Sequence, residues 1–304
     1  MRLRIAENFE ALFYAPLYAL QALGFAESEG LNIEWLPPGG PGGAIDAVRA
    51  GVVDVTWGGP MRVLRDRDTM PDDGASLVCF GEVVGRDPFA LLAGPTLLAD
   101  NTGTFDLRRL AAYRLSIVSE VPTPWFCLQQ DLRDLGVNLK QMVENQQVRA
   151  GLSMPQQIDA LQSGSVDIIQ LFEPHISSLE QQGLAGVLAQ ASARGPCCYT
   201  AFIASRDGLT RHRPALAALE RALARAQQWM ATSSVETIAR MIAPRFPTVP
   251  FEVLCSAVSR YRSASVWSDT PAISRTGIDR LRNSLLAGGF VSRAASFDDI
   301  VASV

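Results

Sequence analysis

The sequence predicts an α/β protein of two similar lobes that face each other across a cleft. Three observations predict it. One segment occurs twice, as Ile45-Asp46-Ala47-Val48-Arg49-Ala50-Gly51-Val52-Val53-Asp54-Val55 and as Ile158-Asp159-Ala160-Leu161-Gln162-Ser163-Gly164-Ser165-Val166-Asp167-Ile168. Each copy reads as a helix end, a glycine stop and a short apolar strand. The copies start 113 residues apart, at Ile45 and Ile158, which is too far for a solenoid repeat and right for one α/β lobe each. Short apolar strands also alternate with helices along most of the chain, the pattern of parallel sheets.

In order, Leu3 to Ala6 reads as a first strand, and Ala11 to Leu23 as a helix with Leu12, Ala15, Leu20 and Leu23 on its apolar face, stopped by Gly24. Leu31 to Leu36 alternates as a second strand. The loop Pro37 to Gly43 leads to the first repeat helix, Ala44 to Ala50, and Val52 to Trp57 follows as a strand. A helix runs from Gly58-Gly59-Pro60 through Arg67. Leu77 to Val84 and Phe89 to Ala93 are strands expected to carry the chain between lobes. Leu115 to Val118 opens the second lobe's sheet, Trp125 to Leu135 is a helix, and the second repeat lies within Pro155 to Leu171. Phe172-Glu173-Pro174-His175 opens another helix, and Tyr199 to Ala204 is the strand that crosses back. From Pro214 the tail is helical, broken at Pro244, Pro247 and Pro250.

Composition removes several function classes. The 304 residues carry a net charge of −4, so there is no basic surface for nucleic acid. No apolar run approaches the roughly 20 residues of a membrane-spanning helix. Lys140 is the only lysine, so Schiff-base or pyridoxal chemistry would depend on it alone. The five cysteines are odd in number and irregularly spaced, which is not a disulfide framework. With only His175 and His212, a zinc site would need cysteines to converge on His175, and no metal or cofactor is expected. No nucleophile elbow, HExxH or Walker loop is present, so no catalytic residue is assigned. The paired Asp46/Asp159 and Asp54/Asp167 read as structural groups at the repeated corner.

The run Phe13-Tyr14-Ala15-Pro16-Leu17-Tyr18-Ala19-Leu20, then Leu23-Gly24-Phe25-Ala26-Glu27-Ser28-Glu29-Gly30-Leu31, then Ala44 to Asp54, resembles the nitrate/sulfonate/taurine solute-binding family, which includes the thiamine-pyrimidine synthases. The resemblance covers Leu3 to Ser205 and fades in the tail. It implies a type II periplasmic-binding-protein fold, Rossmann-like lobes joined by two crossover strands. Lobe one then comprises residues 1–92 and 205–304, with the C-terminal helices returning to it, and lobe two residues 93–204. It implies a solute-binding protein of the ABC-transporter type, closing its lobes on a small planar polar organic ligand, with a permease and an ATPase as partners. The location follows the start of the chain: periplasmic if a leader preceded Met1 and was removed, cytoplasmic if Met1 is native. The alternative is a cytoplasmic enzyme on the same fold, thiamine-pyrimidine-synthase-like or desulfinase-like. For the first, Cys197-Cys198 matches a denser cysteine run, but Gly58 and Arg62 stand where those synthases have lysine and histidine. For the second, no cysteine occurs between Met1 and Val78.

Ligands of open parallel sheets sit beyond the carboxyl ends of strands. That rule selects Asn8 and Phe9 after the first strand, the backbone of Gly40 and Gly42 ahead of a helix, and Trp57 with Gly58 as a stacking face. It adds Glu120, Glu173 and His175 from the second lobe and Tyr199 on the return strand. Two carboxylates in a cleft would accept from ligand N–H groups and repel anions, so a ring bearing N–H groups is the expected guest.

Overall fold

The computed structural model describes residues 1–37, 43–101 and 103–304. Ten strands are numbered in chain order: β1 (Arg2–Ala6), β2 (Asn32–Leu36), β3 (Val55–Gly58), β4 (Leu77–Val84), β5 (Ala90–Ala93), β6 (Leu115–Ser116), β7 (Val148–Arg149), β8 (Ile168–Leu171), β9 (Gly186–Gln190) and β10 (Thr200–Ser205). They form two five-stranded sheets, in the orders β2-β1-β3-β10-β4 and β7-β6-β8-β5-β9. Three strands at one side of each sheet are parallel: β1 pairs with β2 and β3, and β6 with β7 and β8. The strands on either side of each crossing are antiparallel to their neighbours: β10 to β3 and β4, and β5 to β8 and β9. Alternation of strand and helix predicts the parallel part. It misses β7 and β9, the first only two residues long and the second half-buried along most of its length.

Burial explains the strand compositions. Every residue of β4, Leu-Val-Cys-Phe-Gly-Glu-Val-Val, is buried, so it reads as one apolar run covered on both faces. β2 lies at the sheet edge and keeps Asn32 and Glu34 exposed. A bulge between β4 and β10 falls at Gly81, whose φ of +60° suits glycine and where a Cβ would stand 3.0 Å from Phe202. Two apolar clusters pack on the first sheet, around Phe13, Trp57 and Phe202 and around Val63, Leu64 and Ile203. Two smaller ones flank the second, around Leu115 and Ile168 and around Ile169 and Leu171.

The duplicated segments form the same corner in both sheets. The Asp54 carboxylate accepts from the Arg4 backbone N–H at 2.8 Å and from its guanidinium at 2.8 and 3.3 Å. Asp167 accepts from the Arg114 backbone at 2.8 Å and its guanidinium at 2.6 and 3.0 Å. In each copy the aspartate fixes the strand that enters the sheet against its parallel neighbour. The structural reading of these aspartates therefore holds.

The tail helices pack into the two apolar clusters of the first sheet and also reach the second half. Helix Arg206–Thr232 covers the first sheet and packs on helix Ala15–Ala22. Helix Phe251–Ser263 packs on both Val235–Ile242 and His175–Gln181, and helix Arg275–Ala287 on both Met61–Thr69 and Thr123–Asp134. The later tail helices thus touch both halves. Their apolar faces need covering: Leu281, Leu285 and Phe290 share a core with Cys127 and Phe126 of helix Thr123–Asp134.

Candidate functional site

The chain crosses between sheets twice, after β4 and before β10. The crossings are bonded together: the Cys197 and Cys198 N–H groups donate to the Gly85 carbonyl at 2.9 and 3.1 Å. Beside them Arg194 joins Asp87 at 2.5 Å and Asp131 at 2.7 Å. Burial pushes the Asp87 carboxyl up, against the pull of Arg194. A second link spans the halves. Glu173, fully buried after β8, accepts from Arg260 at 2.7 Å and from the Ser177 hydroxyl and backbone at 2.8 and 3.0 Å. Its own N–H donates to the Tyr261 hydroxyl at 2.9 Å.

Between the sheets lies a cleft closed down to about 20 Å³, the room of about one water. Its first wall is Asn8, Phe9 and Tyr14 with Gly59, Met61 and Arg62. Val121, Pro122 and Thr123 oppose it, and Tyr199 and Thr200 form the floor. Tyr14 is fully enclosed, edge-on to Phe9 and Phe13 at centroid distances of 5.4 and 4.6 Å. Burial pushes its phenol far above the usual range, with Asn8 and Thr200 as the polar groups that face it. The Thr200 hydroxyl is buried and makes no hydrogen bond with any described residue.

The charge of this cleft is positive. Arg62 is half-exposed and makes no ion pair among the described residues. It sits in the first turn of helix Met61–Thr69. Helix Thr123–Asp134 begins on the opposite wall. Both start after a proline, Pro60 and Pro122, with no side-chain cap. The Arg62 N–H donates to the Gly59 carbonyl at 3.0 Å and Pro124 has none, so only the remaining first-turn N–H groups are left to an outside acceptor. Arg62 and the two uncapped helix N-termini present a positive potential to this cleft.

The residues selected from the sequence divide into groups. Asn8, Phe9 and Tyr199 line the cleft, and Gly58 lies beside it, where a Cβ would stand 3.6 Å from Asn8 and Arg62. Trp57 is 1% exposed in the core, edge-on to Tyr14 and Trp35, and its indole N–H has no partner among the described residues. Glu120 is exposed and accepts from the Ser119 and Met154 N–H groups at 3.2 Å each. Glu173 is spent on Arg260. His175 is half-buried against Phe172, and burial lowers its pKa while Glu120 opposes this. Gly40 and Gly42 lie outside the described residues. The carboxylates that favoured an N–H-bearing ring therefore do not line the closed cleft. Sequence reasoning weighed Tyr14 only as part of an aromatic wall with Phe9 and Phe13, and it left out Arg62, Thr123 and Thr200 as contacts. Thr123 lies just ahead of the helix read from Trp125, and Thr200 adjoins Tyr199.

Cys197 and Cys198 are fully buried, and burial pushes both thiols up, which is the opposite of an activated thiolate. Among the described residues no group of three His, Cys, Asp or Glu side chains converges as a metal site. Lys140 is exposed on helix Leu139–Glu144, 3.7 Å from Glu144. No described helix is long and apolar enough to cross a membrane.

A family model described as NMT1/THI5 like matches residues 13–236, about three-quarters of the chain. YtlA of Bacillus subtilis (strain 168), whose designation as a binding protein is provisional, is 23% identical over 312 residues, covering 99% of this chain and 87% of YtlA. The periplasmic aliphatic sulphonate binding protein SsuA of Escherichia coli shares the fold at a TM-score of 0.76 and 15% identity, over 99% of this chain and 92% of that one. The periplasmic nitrate-binding protein NrtA of Synechocystis PCC 6803 does so at 0.70 and 16%, over 99% and 86%. The chain belongs to the NMT1/THI5-like family and has the two-sheet α/β fold of the periplasmic binding proteins.

Proposed function

We propose that the protein is a solute-binding protein whose two lobes close on a small organic anion, a sulfonate or carboxylate. The observation that carries this is Arg62, without a carboxylate partner among the described residues, facing a cleft flanked by two uncapped helix N-termini. Asn8, Thr123 and Thr200 supply polar contacts that orient the guest, Phe9, Tyr14 and Tyr199 an aromatic wall, and the backbone at Gly58 and Gly59 a close approach. The lobes divide where the chain crosses between sheets, at 85–89 and 191–199, both ahead of the boundaries 92 and 205 read from the sequence. Opening admits the ligand, and its contacts to both walls favour closure by their differential affinity for the closed state.

In this reading a permease and its ATPase take up the cargo, and the protein works in the periplasm. The similarity to periplasmic sulphonate- and nitrate-binding proteins supports that role. The buried thiols at Cys197 and Cys198 give the enzyme alternative no nucleophile. The test is calorimetric titration with methanesulfonate, benzenesulfonate, benzoate, benzamide and benzylamine. At least one anion binds, Arg62→Ala weakens it at least tenfold, and the same substitution leaves any binding of the amide or the amine unchanged. Binding of only the neutral or cationic compounds, or anion binding indifferent to Arg62→Ala, would overturn the reading.

A further inference from the structure

A cavity far larger than the closed cleft lies elsewhere in the molecule. It is a chamber of about 580 Å³ in the second half of the molecule, between one face of the second sheet and helix Thr123–Asp134. Its volume falls in the range of about 300–1,000 Å³ typical of small-molecule sites. Leu91, Phe105, Leu107, Leu128 and Leu188 make its wall predominantly apolar. Its charged lining is confined to Asp131, Asp134 and Arg194.

We propose that this chamber is a second ligand site, and that it takes an apolar ammonium: an aromatic or aliphatic body with one protonated amine and a neutral acceptor oxygen. The amine is selected by charge. Arg194 is committed to Asp87 and Asp131, and both of its contacts to Asp131, at 2.9 and 2.7 Å, fall on Oδ2. Oδ1 of Asp131 is left for another donor. Asp134, three residues on and so on the same helix face, gives Oδ1 to Gln130 at 2.7 Å and keeps Oδ2. With the one guanidinium already shared between two carboxylates, the lining is negative and disfavours an acid. The acceptor oxygen is selected by Gln170. It is 2% exposed and lines the chamber, and its Oε1 accepts from the Val118 N–H at 3.2 Å. Its amide nitrogen donates to no protein group among the described residues, which leaves it as a donor this wall can offer to a ligand oxygen.

The probes are 4-methoxyphenethylamine, the matching neutral alcohol and 4-methoxyphenylpropionate, titrated by calorimetry and by thermal shift. The amine binds and raises the melting temperature, while the alcohol and the acid bind at least tenfold more weakly. Asp134→Asn, at an exposed position, weakens the amine at least fivefold. Ala189→Phe, on the edge strand β9 and facing the chamber, removes its space and abolishes binding. Arg62→Ala leaves amine binding unchanged, which separates this site from the cleft. Equal binding of all three probes, no binding of the amine, amine binding that survives Ala189→Phe, or its loss in Arg62→Ala would each overturn the proposal.

Discussion

The two copies of the repeated corner make the same bonds in different surroundings. In both, an aspartate receives a backbone N–H and a guanidinium from an arginine, Arg4 within β1 and Arg114 just ahead of β6. The Asp54 side chain is 9% exposed, with His212 of the long tail helix 3.6 Å away. The Asp167 side chain is 31% exposed, its partner Arg114 52%. The tail covers the first corner and leaves the second in solvent. Identical hydrogen bonds should therefore stabilise unequally, because water competes for one set and not for the other.

Four experiments break or sharpen this comparison. The largest effect is expected from Asp54→Ala, which strands the Arg4 donors under the tail helix. It should cost about 2 kcal/mol, read from the urea midpoint at unchanged slope. Asp167→Ala should move the midpoint by less than half as much. Equal shifts would show that covering the corner adds nothing. The third experiment is the acid limb of stability. Burial alone would raise the Asp54 carboxyl, but the Arg4 hydrogen bonds outweigh it and hold it below the ordinary 3.8. The Asp167 carboxyl is lowered chiefly by the Arg114 side chain. Since both are depressed on folding, their stabilisation is present above the unfolded value and lost as pH falls through the folded one. Asp54→Asn should flatten the limb below about pH 4 more than Asp167→Asn does, as followed by circular dichroism. The smallest effect is expected from His212→Ala. Its contact to Asp54 is long at 3.6 Å, so stability should stay within about 0.5 kcal/mol of the parent.

The corners also mark what can be read from a sequence. A glycine stop, an aspartate and an apolar strand form a local signal, and local signals located both sheets. The long-range partners left no such trace. Nothing near Glu173 announces Arg260, yet that pair turns a presumed ligand contact into a link between the halves. Trp57 lies in its strand as read, one residue before the end, but the strand's pairing with β10 places its side chain in the core. Side-chain facing is set by register, which the strand sequence alone does not define. Arg62 was visible only as the occupant of a position where some relatives have histidine. Its importance emerges once Glu120 and Glu173 are found occupied elsewhere. The chamber in the second half was not legible at all, because it depends on how well Leu107, Leu128 and Leu188 fill the space over the sheet.

The scarcity of lysine has a practical consequence. Lys140 stands alone and exposed on its short helix, far in sequence from the cleft residues and from the repeated corners. Apart from a terminal amine, a succinimidyl dye has one side chain to react with, and it lies on the half that carries β6 to β9. Labelling at one known place on that half needs no engineered cysteine, so its tumbling and orientation become measurable by anisotropy while the native sequence stays intact.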